Sequence, residues 1–405
     1  MKVAFIVGPS GAKYGDTYYD KVPVTKARPW LMNIDKKYWI TDSNKKWNPK
    51  MGKAERYVRL DNAVALLLKT ALSASFPDTV FKIINATELS FKKLEGYDLI
   101  INQFMDELII PHIEKLSDKG EPHAKLRRIY KRYADKLYPP ANYANLVYDK
   151  CKYYSYLNYK KIPTAPSYCV DITQNLYSSK DKFVKSLPGL VDLFKKKKWS
   201  KIFAKPVHGT DSKDVALFDS QDSKLKGKLL KYMLGLMGKK RYPKVVFQKF
   251  MEDFETTQPQ IRSYWLGDRL LWIILNKNNT EDIKLTAAEL LKQFPKAMIL
   301  TKRVLKAITP LFHGGPKFIT RIDLGCCLEK GKKNTHFVNE IEFNPGMYAH
   351  LAGHERGFLD VQMVRQLIKV VLYRILHPPP PKPFHKRGGI LKLLKKKFKW
   401  ETVAS

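Results

Sequence analysis

The sequence predicts a protein of mixed α/β and α+β class, in which an amino-terminal doubly wound unit precedes a larger region built around hairpins. Three observations lead to this prediction. Apolar runs alternate with a helical pattern near the amino terminus, and hairpin turns recur in the second half. The chain has 405 residues with 44% hydrophobic content, which is enough to bury a sizeable core. Length alone favours two or three domains.

The amino-terminal unit covers residues 1–140. Its first apolar run, at 2–8, ends in glycine and is typical of a buried parallel strand that leads into a loop. A helical pattern follows at 60–72, and further strand patterns occupy 80–84 and 97–101. Because strands and a helix alternate, we expect a small doubly wound sheet with parallel strands.

The charge balance is strongly basic. The chain has 74 Lys and Arg residues against 38 Asp and Glu residues, for a formal net charge of +36. Such a field favours polyanionic partners such as nucleic acid, an anionic membrane surface or an anionic substrate. The lysines are scattered through the chain, however, and a biased coding composition produces the same excess. Charge alone therefore does not choose between function classes.

The chain contains no apolar run of roughly 18 residues, the length that a membrane-spanning helix needs. The first apolar run is also too short for the core of a signal peptide. We therefore expect an intracellular, cytoplasmic and soluble protein. The four cysteines, Cys151, Cys169, Cys326 and Cys327, have neither metal-ligand nor disulfide-framework spacing, so we expect reduced thiols in the core.

A lysine closes one of the predicted strands of the second region. Residues 202–204 are apolar, Lys205 follows them, and Pro206 comes next. A buried ammonium group needs a partner, because an unpaired charge in an apolar interior is strongly unfavourable. A phosphate group is one such partner. This segment is therefore a candidate phosphate site.

Acidic residues alternate along the second strand of a hairpin that we predict between Arg321 and Asn344. Period-two alternation places Glu340, Glu342 and Asn344 on one face of that strand and Ile341 on the other. Carboxylate and amide oxygens are hard ligands that suit Mg2+ together with substrate phosphates. The alternative interpretation is the solvated face of an edge strand, which needs no ligand.

The order of these features resembles the metal-binding end of the ATP-grasp superfamily. The resemblance rests on an Arg-x-Asp segment at 321–323, a Glu-x-Asn segment at 342–344, the Pro-Gly pair that follows, and His350. These motifs are most similar to carboxylate–amine ligases of the D-alanine–D-alanine ligase and glutathione synthetase type. The resemblance spans about 141–376, and the amino-terminal unit matches the family's preceding domain in type.

The resemblance implies a domain organisation. A pre-ATP-grasp-like α/β domain at 1–140 would precede an ATP-grasp domain at 141–377, with lobes of about 141–250 and 251–377. Residues 378–405 form a Pro-rich spacer followed by a basic amphipathic tail.

The tail segment 386–400 is a candidate contact for an anionic membrane or nucleic acid. A disordered, solvated tail is the alternative, since a helix this short is marginal alone. The oligomeric state is not readable from the sequence.

Residue by residue, the resemblance implies an ATP site. Its parts are two phosphate-binding lysines, a phosphate-covering flap, an adenine-binding segment and a ribose-binding acid. The phosphate-binding lysines would be Lys150 and Lys205, and the flap would include Gly209 and Ser212. The adenine-binding segment would be Gln248, Lys249 and Phe250, and the ribose-binding acid would be Glu255. The chain departs from the family in its flap, which has one glycine, and at Gln248, where the family often has Glu.

The resemblance also implies a metal site and catalytic residues. Two Mg2+ ions, or Mn2+ in their place, would bind to Asp323, Glu342 and Asn344. Arg321 matches the arginine that stabilises the oxyanion of a tetrahedral intermediate, and Lys205 would neutralise charge during phosphoryl transfer.

The implied activity is an ATP- and Mg2+-dependent ligase that joins a carboxylate to an amine through an acylphosphate intermediate. Its substrates would be small-molecule or peptide carboxylates and amines of anionic character. Three alternatives stay open. They are an inositol-phosphate-type kinase, an amino-acid ligase that acts on acidic protein tails, and a non-catalytic basic protein that binds nucleic acid or has a structural role on the same fold.

Overall fold

The structure is a computed structural model of the chain. The residues that it describes are 1–8, 21–23, 35, 38–40, 57–85, 88–102, 128–172, 180–208, 214–238, 242–252, 254, 259–276, 283–327, 335–343 and 361–377. The Pro-rich spacer and basic tail predicted for 378–405 lie outside these residues.

The chain forms two compact units. The first contains Met1–Asn145, Gln260–Asp323 and Ile341–Pro380, and the second contains Leu146–Pro259 and Leu324–Glu340. The domain boundaries expected at 140, 250 and 377 stay a prediction. Each unit is described by itself below.

The first unit opens with two small sheets. Its early elements are, in chain order, β1 (Lys2–Val7), β2 (Lys21–Pro23), β3 (Trp39–Ile40), β4 (Tyr57–Arg59), helix α1 (Leu60–Ser75), β5 (Val80–Asn85), α2 (Phe91–Leu94), β6 (Leu99–Asn102), β7 (Leu137–Tyr138) and α3 (Ala141–Val147). Strands β2, β4 and β3 form an antiparallel sheet in that order.

The parallel sheet of the first unit has the strand order β5-β1-β6-β7. Its strands pair in parallel, with Val3 opposite Phe81 on one side and Leu99 on the other. Every residue from Val3 to Val7 is buried, which explains the continuous apolar run, because a central parallel strand is covered on both faces. The predicted alternation of parallel strands with a helix is confirmed.

The second unit contains a four-stranded sheet covered by two helices. Its elements are α4 (Lys150–Tyr159), β8 (Ser167–Asp171), α5 (Lys180–Lys196), β9 (Lys201–Pro206), β10 (Ala216–Asp219), α6 (Leu225–Gly238) and β11 (Lys244–Lys249). The sheet is antiparallel, in the order β10-β9-β11-β8. Apolar side chains of α5 and α6, including Phe194 and Leu229, pack with Phe247 of the sheet in one core.

A second set of strands builds the sheet on which the predicted hairpin lies. The elements are β12 (Gln260–Leu266), β13 (Arg269–Asn276), β14 (Ile283–Leu285), α7 (Ala287–Gln293), α8 (Pro295–Ile308), a 3-10 helix (Thr309–Phe312), β15 (Ile319–Cys327), β16 (Thr335–Phe343) and α9 (Val361–Leu376). The strand order is β14-β13-β12-β15-β16. The hairpin predicted between 321 and 344 therefore corresponds to β15 and β16.

The turn between β12 and β13 is formed by Gly267 and Asp268. Gly267 adopts a φ of +65°, a conformation that glycine reaches without steric strain. Its backbone N–H donates to the Lys317 carbonyl at 2.9 Å, and the buried Lys317 ammonium pairs with Asp268 at 2.6 Å. The turn is thereby attached to the segment that leads into β15.

The expectation of reduced cysteines is wrong for one pair. Cys151 in the first turn of α4 and Cys169 on β8 form a disulfide, with 18 residues of sequence separation. Spacing gave no signal because the folding of α4 onto the strand brings the two together. Cys326 is buried and is not part of a disulfide, as expected.

Among the described helices, none combines the length and the apolar character that crossing a membrane requires.

Candidate nucleotide and metal site

Three charged side chains of the first unit meet where β15 and β16 lie side by side. Arg321 donates from Nε to Oδ1 of Asp323 at 2.8 Å and from a terminal nitrogen to Oδ2 at 2.9 Å. The same terminal nitrogen also donates to Glu342. The guanidinium therefore bridges two carboxylates, in the fork-shaped geometry that arginine favours.

Strand alternation explains how these residues come together. Arg321 and Asp323 are two residues apart on β15 and so face the same side, and Glu342 faces them from β16. The alternate residues Ile322 and Leu324 point to the opposite side of β15 and are fully buried. Ile341 is buried in the same way on β16, with 2% exposure. The predicted alternation of acidic and apolar faces is confirmed for these residues.

The neighbouring strand β12 supports this cluster. Gln260 donates from its amide to Oδ2 of Asp323 at 3.5 Å and accepts from Nε of Arg262 at 2.8 Å. The ring of Tyr264 lies 6.0 Å from the centre of the Arg321 guanidinium. Three alternate residues of β12 thus line the same side as the acids.

The environment within the cluster favours the charged form of Arg321 and the neutral form of Tyr264. Burial would lower the pKa of Arg321, but the carboxylates of Asp323 and Glu342 hold that pKa well above its usual range. Burial also raises the pKa of Tyr264 to about 12, and the two carboxylates push it the same way while Arg321 opposes them. At neutral pH the arginine is charged and the phenol is neutral.

The donor set fits a hard divalent cation. Asp323 and Glu342 present carboxylate oxygens within 4.8 Å of each other, and Asp323 is 1% exposed. Mg2+ is commonly held by one or two carboxylates together with substrate phosphates and water. These two residues are therefore able to hold Mg2+, in exchange for part of their pairing with Arg321.

In the second unit, Lys205 is buried beside a phenol. Its ammonium donates to the Tyr154 hydroxyl at 3.0 Å, and that hydroxyl donates to the Asn339 carbonyl at 2.7 Å. Within the described residues no carboxylate forms an ion pair with Lys205. The partner that we expected for this cation is a phosphate, whereas the partner that these residues provide is a neutral hydroxyl, so an anion binding there would not compete with a carboxylate.

Lys150, the other predicted phosphate lysine, has an acidic partner. It begins helix α4, which is capped by Asp149 through a bond from the Lys152 backbone N–H at 3.1 Å. Its buried ammonium pairs with Glu340 at 2.9 Å. Glu340, which we placed in phase with the predicted metal ligands, is therefore partly neutralised by a lysine.

The predicted adenine segment lies at the end of β11. The backbone N–H groups of Lys249 and Phe250 donate to the carbonyls of Pro166 and Lys201, at 2.8 and 3.1 Å. The buried Gln248 side chain donates to Ser167 at 3.3 Å. A purine bound there would therefore have to use other backbone atoms of this segment.

Four of the predicted site residues lie outside the described residues: Gly209, Ser212, Glu255 and Asn344. His350 does too. Their proposed roles stay predictions. Among the described positions, the structure brings Arg321, Asp323 and Glu342 together in the first unit, and it buries Lys150 and Lys205 in the second.

Sequence reasoning missed Tyr154 and Gln260, two neutral partners of the predicted residues. Tyr154 lies four residues after Lys150 on α4, a spacing that places both on one helical face, so the helix pattern contained a signal. Gln260 precedes Arg262 with strand spacing, but nothing in the sequence indicates which strand lies beside Asp323.

Solved protein structures with a similar architecture identify the fold of this chain. The crystal structure of a D-cycloserine synthetase matches with a TM-score of 0.54 and 13% sequence identity, over 91% of this chain and 99% of that chain. This chain has the ATP-grasp fold. At such low identity the similarity establishes the fold of this ATP-grasp chain and not its reaction.

Two further structures match the ATP-grasp chain less closely. A RimK domain ATP-grasp protein from Sphaerobacter thermophilus has a TM-score of 0.47 and 12% identity, over 78% of this chain and 95% of that one. A D-alanyl-alanine synthetase A from Vibrio cholerae has a TM-score of 0.46 and 10% identity, over 93% and 98%. The fold assignment does not depend on them. Neither a protein-family model nor a curated protein sequence matches the chain.

Proposed function

We propose that this ATP-grasp chain is an ATP- and Mg2+-dependent ligase that joins a carboxylate to an amine through an acylphosphate. The observation that carries the proposal is the cluster of Arg321, Asp323 and Glu342. Two adjacent carboxylates and one guanidinium, on neighbouring strands of an ATP-grasp fold, match the residue types that such a reaction needs. The Arg321 side chain is only 15% exposed and pairs with both acids, an arrangement that a solvated surface face would not require.

The metal role belongs to Asp323 and Glu342, with Asn344 as the third predicted ligand. When bound there, Mg2+ neutralises charge on the transferring phosphoryl group of ATP. The acids contribute by fixing the ligand atoms before the reaction, since both are held by hydrogen bonds from Arg321. Two ions are proposed, as the family resemblance implies.

The nucleotide role belongs to Lys150 and Lys205. Both lysine residues are less than a tenth exposed, and a cation held in a partly desolvated place interacts strongly with phosphate oxygens. Within the part of the chain that the structure describes, the hydrogen-bond partner of Lys205 is a neutral hydroxyl, so a phosphate would not have to displace a carboxylate there. Lys150 would share its charge between Glu340 and a phosphate.

The proposed reaction has two steps. A carboxylate oxygen of the first substrate attacks the γ-phosphorus of ATP, and the bond from that phosphorus to its bridging oxygen breaks to release ADP. The amine then attacks the acyl carbon, loses a proton, and expels phosphate that carries one oxygen of the original carboxylate. In this proposal Arg321 stabilises the oxyanion of the second step, as a fixed cation.

An isotope experiment tests this proposal directly. The full-length chain is incubated with Mg2+, ATP and pools of small amino acids and dipeptides, and ADP release identifies active pairs. The carboxylate of the active substrate is then labelled with oxygen-18. A ligase transfers one labelled oxygen to inorganic phosphate and produces an amide. A phosphorylated product without free phosphate would instead favour a kinase acting on a phosphate-rich alcohol, and would overturn the ligase assignment.

A further inference from the structure

Seven exposed lysines gather at one end of the second unit. Four form the run Lys195 to Lys198, at the carboxyl end of α5 and just beyond it. Three more, Lys224, Lys226 and Lys231, lie just before α6 and on its exposed side. These seven residues are called the lysine surface below. None of them belongs to the proposed nucleotide or metal site.

Two observations place these lysines in one neighbourhood. Helices α5 and α6 pack against each other, through Phe194, Leu229 and other members of a shared core. The backbone N–H of Ser220 also donates to the Ser200 carbonyl at 2.9 Å. Lys198 is two residues before Ser200 and Lys224 is four after Ser220, and each residue spans at most about 3.5 Å. The two groups of lysines therefore flank the same end of the sheet.

Among the described residues, the ammonium groups of the lysine surface form no ion pair with a carboxylate, although Asp222 accepts from the backbone N–H of Lys224 at 2.8 Å. Nearby lysines that do have partners form recognisable ion pairs, Lys228 with Asp222 at 2.5 Å and Lys201 with Glu252 at 3.3 Å. Seven like charges in one neighbourhood repel each other, and a bound polyanion relieves that repulsion.

One of these lysines, Lys198, occupies a backbone position that glycine would adopt with less steric strain. Helix α5 ends in a Schellman motif, because Trp199 N–H donates to the Phe194 carbonyl at 3.1 Å and Lys198 N–H to the Lys195 carbonyl at 2.9 Å. Lys198 therefore takes a φ of +54°, in the left-handed region that disfavours residues with a Cβ. The stacked rings of Phe194 and Trp199 complete the motif. A lysine at this position makes the folded chain less stable than a glycine would, and it adds a fourth adjacent positive charge.

We propose that the lysine surface binds the phosphate backbone of a nucleic-acid duplex, without reading its sequence. Phosphates repeat along a duplex at short, regular intervals, so an array of independent point charges can contact several of them at once. Lysine supplies such point charges, whereas specific recognition of carboxylates or bases usually uses the planar fork of arginine.

The residue composition of the lysine surface favours a nucleic-acid duplex over acidic protein tails, single-stranded nucleic acid and membranes. In the described parts of 187–200 and 220–238 there is no arginine, so bidentate recognition of acidic protein tails is disfavoured. Those segments also expose no large hydrophobic or aromatic side chain. Single-stranded nucleic acid is usually held by stacking on aromatics, and a membrane surface by apolar insertion, and neither element is present there.

Fluorescence anisotropy with the full-length chain tests the proposal. The probes are RNA and DNA duplexes of about 20 base pairs in two unrelated sequences, titrated between about 50 and 200 mM KCl. We expect similar affinity for both sequences, and a slope of log affinity against log salt of about −4 or steeper, because roughly five phosphates are neutralised at about 0.9 per contact. A fourfold variant, Lys195, Lys196, Lys197 and Lys226 each to Gln, should reduce that slope by about 3 and weaken binding at least about tenfold.

A charge-matched control separates the lysine surface from the overall charge of the chain. It replaces four exposed lysines of the first unit, Lys69, Lys92, Lys131 and Lys302, with Gln. This control should keep the wild-type affinity and slope. Equal losses in both fourfold variants would overturn the proposal, because binding would then follow net charge. Equally tight binding of poly-glutamate or of vesicles containing phosphatidylserine would overturn the choice of nucleic acid.

The substitution Lys198→Gly gives the sharpest test, since it should move stability and binding in opposite directions. Glycine relieves the left-handed backbone strain, so the denaturation midpoint should rise. The salt slope should fall by about 1, with weaker duplex binding, because one phosphate contact is lost. Unchanged duplex binding in this more stable protein would contradict a role for Lys198, and loss of folding cannot be the reason.

Discussion

Arg321 and Asp323 form a two-pronged ion pair within a single strand, with both nitrogen-to-oxygen distances below 3 Å. The lone pairs that accept from Arg321 are also the ones that a divalent cation needs. Cation binding and the full pairing of Arg321 therefore compete for the same oxygens. This competition makes the role of Arg321 measurable without knowing the substrate.

The first prediction concerns Arg321→Met. Without the guanidinium, Asp323 and Glu342 face each other uncompensated, and we expect a loss of about 3 kcal/mol in unfolding free energy when Mg2+ is removed by EDTA. Mg2+ should restore much of that loss and should bind more tightly than to wild type, because a competing cation is gone. Urea unfolding with and without Mg2+ measures both effects.

The matched control for that experiment is Arg132→Met, which breaks an exposed ion pair with Glu95 in the same unit. It should change stability by less than about 1 kcal/mol and should not respond to Mg2+ differently from wild type. If Arg321→Met gains nothing from Mg2+, the two carboxylates do not form a cation site.

The second prediction concerns the proposed metal ligands themselves. Asp323→Asn and Glu342→Gln should each abolish the Mg2+-dependent rise in melting temperature that an ATP analogue produces, because a carboxylate ligand becomes a neutral amide. Turnover should be lost in parallel. The exposed Asp192→Asn is a suitable control and should behave as wild type. Retention of normal Mg2+-dependent turnover in either ligand variant would remove that residue from the site.

The third prediction concerns Lys205→Met. Among the residues described, the ammonium donates to the neutral Tyr154 hydroxyl and pairs with no carboxylate, so replacing it with an apolar side chain of similar length should alter unfolding free energy by less than about 1.5 kcal/mol. Nucleotide affinity should fall by at least about tenfold, since a partly buried cation is lost from phosphate. Isothermal titration with an ATP analogue measures the affinity.

Tyr154→Phe provides the comparison for Lys205, because it removes the hydroxyl and keeps the ring. Nucleotide affinity should change little in this variant if Lys205 acts directly on phosphate. A large loss of affinity in Tyr154→Phe with little change in Lys205→Met would show that the tyrosine, and not the lysine, carries the interaction.

The fourth prediction concerns the disulfide between Cys151 and Cys169. Its loop of 18 residues corresponds to about 3 kcal/mol of stabilisation, through the reduced freedom of the unfolded chain. The Cys151→Ser, Cys169→Ser double variant should lose that amount in urea unfolding. Dithiothreitol should weaken wild type to the same extent and leave the double variant unchanged. A wild-type chain insensitive to reductant would contradict the presence of the bond in solution.

The fifth prediction concerns alkaline pH. Because the folded pKa of Tyr264 is raised to about 12 from an ordinary value of 10.0, its contribution to stability is complete below pH 10 and is lost as pH rises through 12. Tyr264→Phe cannot ionise, so its stability should fall less steeply over this interval. Urea midpoints measured at several pH values test the difference, and identical slopes would show that the phenol is not buried.

Much of the fold was accessible from local patterns. The apolar run that became β1, the Gly267 turn and the acidic alternation on β16 each reflect a short-range rule: covering of both strand faces, freedom at positive φ, and the two-residue period of a strand. The order of the Lys205, Arg321 and Glu342 segments along the chain also sufficed for the family resemblance.

The partners of these residues were not accessible in the same way. That Lys205 meets a phenol, that Lys150 meets Glu340, and that Cys151 bonds to Cys169 all depend on packing between segments far apart in sequence. Local rules specify which way a side chain points, but not which distant segment packs against it. The sequence therefore established the elements and the residue types of the site, while the packed structure established how each charge is compensated, because compensation requires atoms to lie within a few ångströms of each other in three dimensions.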